Sequence, residues 1–150
     1  MEKYADFNAK QRKEYSSFKG IGFAFSDKQF TEMCLKLGIK ENEAKEKIFS
    51  IGLGGFILKS RMADYKKMLK NHENELNEKM KDKDFVFSAF DYELSNHEYI
   101  VTYEIEPALE ALGLNYDKDI KNNKMLLEAL AKAIKSQKEN SCWNWLWILH

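Results

Sequence analysis

Several things are scarce in this chain, and each scarcity removes a class of protein. Its 150 residues include two cysteines, one proline and seven glycines. Cys34 and Cys142 lack C-x-x-C spacing, so they form neither a disulfide scaffold nor a redox or metal pair, and a reducing compartment fits best. So little proline and glycine excludes collagenous and low-complexity chains. An excess of charge of either sign is also missing, because 24 Lys and Arg balance 24 Asp and Glu. No global basic field draws the chain to phosphate, which makes nucleic acid a poor default partner. The longest apolar run, Trp145 to Leu149, is five residues, and the charged start MEKYADFNAKQRKEY has no apolar h-region. Neither secretion nor a membrane partner is expected, and the expected location is cytoplasmic. What is present is 44% hydrophobic and 32% charged residues, with three Trp, seven Tyr and ten Phe. That composition describes a helix-rich globule, expected as a single domain over residues 1–150 that buries about two thirds of its unfolded surface.

Periodicity then divides the chain. Tyr4, Phe7, Tyr15 and Phe18 keep helical spacings up to Gly20, and Ile21 to Phe25 reads as a buried strand. Ser26-Asp27-Lys28-Gln29 fits a capping box for a helix whose inner face is Phe30, Met33, Cys34 and Leu37, with Gly38 as its left-handed end. After a charged stretch, Ile48–Ile51 and Phe56–Lys59 read as strands around Gly52-Leu53-Gly54-Gly55. Ser60 is placed to cap a helix with an inward stripe of Met62, Tyr65, Leu69, His72, Leu76 and Met80. A second helix carrying Phe87, Phe90 and Leu94 follows the polar break at 81–84, as the other arm of a hairpin. From His97 the period becomes two: His97, Tyr99, Val101, Tyr103 and Ile105 alternate with Glu98, Ile100, Thr102, Glu104 and Glu106, which predicts a half-exposed strand. A short helix from Pro107 to Gly113 and a long one from about Asp119 to Ser141, with Leu126, Leu127, Leu130, Ala133 and Ile134 facing inward, complete the pattern. The expected fold is α+β, more than half helical, with a small, mostly antiparallel sheet of three or four strands packed against five or six helices.

Few residues stand in a pattern that carries chemistry. The turn Gly52-Leu53-Gly54-Gly55 offers bare backbone N–H groups, yet G-x-G-x-x-G needs glycine at Ile57 and a Walker loop needs it where Leu58 stands. A plain hairpin turn is the stronger reading, with Lys59 and Ser60 as a conceivable small anion site. The segment from Asp91 to Tyr99 is the densest polar cluster. Glu93 and His97 are four apart and so share a helix face, as a base and its orienting carboxylate require, but H-E-x-x-H is absent. His97 is expected to be a hydrogen-bonded structural residue, and His72 lies inside an apolar stripe. Cys34 reads as buried packing, and G-x-S-x-G is missing. No catalytic residue, metal or cofactor is therefore expected. The tail holds Trp143, Trp145 and Trp147, which either dock into the core or form a partner contact. Docking with some indole left exposed supports a homodimer.

Taken together, Phe23-Ala24-Phe25-Ser26 with Gln29-Phe30, Ile51 to Ile57 with Lys59, and Ala89-Phe90, Tyr92-Glu93-Leu94, Asn96-His97-Glu98-Tyr99 and Thr102-Tyr103 carry a resemblance. Over residues 20–135 the chain resembles an uncharacterised family of small proteins associated with phages, plasmids and other mobile elements of gut-type Gram-positive bacteria. Proteins of such elements often act against host defences. The resemblance thus implies a non-enzymatic anti-defence protein of anti-CRISPR type, an inhibitor that binds a bacterial defence protein such as a CRISPR-Cas effector. The residues leave a rival open: a small-molecule or nucleotide site, or a hydrolase, built from Ser26, Gln29, Gly54, Gly55, Lys59, Glu93, Asn96, His97 and Tyr99.

Overall fold

Helix makes up 71% of the chain, and the other described residues form loops and one three-stranded antiparallel sheet. The computed structural model describes residues 1–148, with side chains through Ser141. In chain order the elements are α1 (Tyr4–Ser17), β1 (Ile21–Phe23), α2 (Asp27–Leu37), α3 (Ala44–Lys47), β2 (Ile48–Gly52), β3 (Gly55–Leu58), α4 (Met62–Lys79), α5 (Lys83–Asn96), α6 (Tyr99–Thr102), α7 (Glu106–Ala111) and α8 (Lys124–Ile148). The α+β class holds. Eight α-helices are found among the described residues where five or six were expected. The excess over six comes from α3 and α6, each four residues long and too short for a period to show, whereas α7 is the short helix expected after Pro107.

The chain divides into two compact units, Gln11–Asn74 and Met1–Lys10 with Glu75–His150. In the first, the sheet unit, the strands lie in the order β1-β3-β2, with Gly22 opposite Phe56 and Ser50 opposite Phe56 on the other side. Because paired residues share a face, Ile48, Phe56 and Leu58 point one way and join Met33, Cys34, Phe30 and Leu37 of α2 in one apolar cluster. Gly22 permits this packing: Met33 occupies the space a Cβ would need. Helix α2 starts and stops as its residues dictate. Ser26 Oγ accepts from the Gln29 N–H at 3.3 Å, and Gly38 closes the helix at φ 70°, ψ 28°.

The second, helical unit has the larger core. Phe85, Val86, Ala89, Phe90 and Leu94 recur at helical spacing on α5 and are at most 2% exposed. They meet Leu126, Ala129, Leu130 and Ala133 of α8 and Ala108 and Leu109 of α7. Burying each large side chain contributes about 1.5–3 kcal/mol. Asp82 fixes the start of α5 by accepting from the Phe85 N–H at 2.8 Å.

Several expectations are corrected. Residues 97–106 form no strand; α6 and the start of α7 stand there instead. Buried Tyr99 and half-buried Ile100 and Ile105 reach the core, a pattern that alternation cannot produce, while Val101 and Tyr103 are left 77% and 66% exposed. Ser60 caps nothing, because a 3-10 turn over Lys59–Arg61 precedes α4. Met68, not Leu69, is the buried residue of α4, and Leu127 on α8 is 39% exposed. Helix α8 begins at Lys124 and not near Asp119, because Asn115 and Asp119 bond each other's flanking backbone and Asn123 accepts the Leu126 N–H anew. The side chains of Trp143, Trp145 and Trp147 lie outside the described residues.

Candidate functional site

The candidate residues fall into both units, Ser26, Gln29, Gly54, Gly55 and Lys59 in the sheet unit and Glu93, Asn96, His97 and Tyr99 in the helical unit. In the sheet unit, Gly52 pairs with Gly55, so Leu53 and Gly54 form a two-residue loop with φ of 50° and 73°, the sign a type I′ turn requires. The Phe25 ring fills the place a Gly54 side chain would take, and the Ala24 N–H donates to Gly54 O at 2.9 Å. The turn is therefore clamped from that side by the chain leaving β1, which closes that side of it to an anion. Lys59 is likewise engaged: its Nζ lies 4.7 Å from the centre of the Phe49 ring and donates to Lys45 O at 3.3 Å. Ser26 and Gln29 serve the backbone at the start of α2, with Gln29 Oε1 accepting from the Phe25 N–H at 2.7 Å.

What this end of the sheet presents outward is apolar. Leu53 is 94% exposed, Phe25 75% and Phe23 50%, and Phe49, toward the other end of β2, is 46% exposed. By register, Phe23 and Phe49 share the face of Ile57, opposite the face packed on α2. Cys34 stays on the buried face of α2, where burial and then the nearby Glu41 push its thiol pKa up, away from nucleophilic use.

In the helical unit the polar cluster centres on Glu93, 4% exposed. Its Oε1 accepts from the Tyr4 hydroxyl at 2.6 Å, and its Oε2 accepts from Asn96 Nδ2 at 3.4 Å with His97 Nε2 at 3.5 Å. The Tyr4 N–H donates to Ser88 Oγ at 3.0 Å, so both ends of that residue are tied to α5. Such a carboxylate, sealed from solvent and surrounded by donors, anchors α1 to α5 and is out of reach of a substrate. Tyr4 is the partner that sequence reasoning missed, and no local signal could have found it across 89 residues.

Asn96, Glu98 and Tyr99 line a cleft of about 990 Å3 together with Asp84, Asp91 and Tyr92; Glu93 and His97 do not. Gln137 donates to Asp91 O and Oδ1 at 3.0 and 2.9 Å and fixes the carboxylate at the edge. Among the described residues no group of three His, Cys, Asp or Glu could hold a metal ion. His72 Nε2 lies 2.8 Å from Glu14 Oε2 in the sheet unit, so it too has a local partner.

The sequence matches a family of unknown function, DUF7659, over residues 3–136. The chain belongs to that family. The DUF7659 match runs from just before α1 through most of α8 and leaves out residues 137–150, which hold all three tryptophans. No curated protein and no solved structure matches the chain. No helix among the described residues is long and apolar enough to cross a membrane.

Proposed function

We propose that this protein of a mobile element works by binding and not by catalysis, as an anti-defence inhibitor of anti-CRISPR type. Its target would be a bacterial immunity protein such as a CRISPR-Cas effector in the cytoplasm. One observation carries the binding reading: Phe23, Phe25 and Leu53 are exposed at the hairpin-turn end of a small sheet, and Phe49 is exposed on the same face as Phe23. Clustered exposed aromatics and leucine normally mark a contact surface, and aromatic anchors dominate binding energy at such surfaces. The turn that carries Leu53 is also held rigid by Phe25 and Gly54, which lowers the ordering cost of binding. The mobile-element origin rests on the resemblance of residues 20–135.

The test is a plasmid-interference assay in cells carrying an active CRISPR-Cas system. The protein is expected to restore establishment of a targeted plasmid, and the variant Leu53→Ser is expected to weaken that effect without a change in melting temperature. Intact targeting in every defence system tried, with wild type and variant alike, would overturn the reading. The rival small-molecule reading draws on the cleft beside Asn96, Glu98 and Tyr99. A nucleotide suits that cleft poorly, because its carboxylates repel phosphate.

A further inference from the structure

The neutral chain divides its charge unequally between its two units. Residues 11–74 hold thirteen Lys and Arg against eight Asp and Glu, a net +5. The rest hold eleven against sixteen, a net −5, with histidine counted neutral. The imbalance concentrates further: between Asp84 and Tyr116 there are seven carboxylates and no Lys or Arg. That segment builds α5, α6 and α7 and supplies most of the cleft described above.

The cleft combines two features. Its apolar floor includes Tyr92, Tyr99 and Ile100, and its rim carries Asp84, Asp91 and Glu98, with Lys3 the one basic side chain among the described lining residues. Asp84 and Glu98 make no ion pair among the described residues. Beside the cleft, α6 is bracketed by two non-glycine residues at positive φ, Glu98 at 54° and Tyr103 at 59°, a costly backbone that a solvated loop would not hold without support. The Tyr103 ring packs edge-on against Tyr99 at 5.9 Å, which joins the exposed Tyr103 to the aromatic floor. Carboxylates set around tyrosine faces suit ammonium and guanidinium groups, through ion pairing and cation–π attraction together. The apolar neighbours and the size of the cleft suit a chain segment more than a small ion.

We propose that this cleft docks a lysine- and arginine-rich segment of a partner protein that also bears apolar side chains. The inference goes beyond the binding reading of the sheet unit and stands on different residues. It is tested by fluorescence anisotropy on the full chain with a labelled 15-residue helix-forming peptide of Lys and Leu. The controls are the same peptide with Glu for Lys, the same with Gln for Leu, and spermine as competitor. The Lys/Leu peptide is expected to bind at least tenfold more tightly than either control. Asp84→Asn/Glu98→Gln is expected to weaken it about threefold to tenfold, more so at low salt, with the circular dichroism melt unchanged. Leu53→Ser is expected to leave it untouched, which separates this proposal from the preceding one. Equal binding of the Lys/Gln peptide, displacement by equimolar spermine, or no loss in the acid variants overturns it. So does self-association of the wild type that the acid variants abolish, since the cleft would then take a second copy.

Discussion

The helical unit buries sixteen residues in its apolar cluster, and the sheet unit buries four in its own. The contrast in surface runs the other way: the sheet unit leaves Phe23, Phe25 and Leu53 exposed at the turn end of its sheet and Phe49 exposed further along, whereas the helical unit surrounds its cleft with carboxylates. A small core supplies little stability, so a unit that leaves phenylalanines in water forgoes burial it can ill spare. That cost is what the proposed binding role would account for. The large core of the other unit is free to hold strained backbone at Glu98 and Tyr103.

The comparison of cores breaks most visibly at Phe90, which is fully buried. Phe90→Ala is expected to cost about 3–5 kcal/mol in urea unfolding, and Ile48→Ala, its counterpart in the sheet unit's cluster, about 2 kcal/mol. Equal losses would mean that the two cores matter alike. Hydrogen exchange would sharpen the same point, with amides of α5 and α8 expected to outlast those of β1 and β2.

Next in size is the tie between Tyr4 and Glu93. Tyr4→Phe leaves a buried carboxylate without its shortest donor and is expected to cost about 1–3 kcal/mol. A cycle with Glu93→Gln should recover part of that loss, and strict additivity would show that the 2.6 Å bond contributes nothing of its own. His97→Ala, at the exposed side of the same carboxylate, is expected near the low end of that range.

In the sheet unit, Gly54→Ala is expected to cost about 1–2 kcal/mol from positive φ alone, with more from the collision with Phe25. An unchanged melt would show that Phe25 is not held on the turn. The smallest effect is one of pH. The folded state raises the Cys34 thiol pKa, so above about pH 8.5 the unfolded chain releases a proton that the folded one keeps, and stability falls as pH rises. The loss should stay under about 1 kcal/mol by pH 9.5 and vanish in Cys34→Ala, as read by urea midpoints across that range.

Local chemistry was legible where it is settled within a few residues. Ser26 and Gly38 mark the ends of α2, the glycines at 52, 54 and 55 mark the hairpin, and the spacing of Leu126, Leu130 and Ala133 marks the buried face of α8. Alternation over 97–106 misled because period two describes side chains only once a partner strand exists, and none pairs with that segment. The candidate site was legible in part: Glu93, Asn96 and His97 do meet, but the tyrosine that completes their network comes from the far end of the chain.

By itself the sequence determined the helix-rich α+β class, the ends of several elements and the exact balance of charge, because caps, turns and sums depend on residue type and near neighbours. Only the tertiary structure decided which of the apolar residues stay exposed, that Glu93 is sealed beneath Tyr4, and that equal charges separate into units of +5 and −5. Burial, ion pairing and local potential depend on distance in space, and residues 4 and 93 become neighbours only when the chain folds.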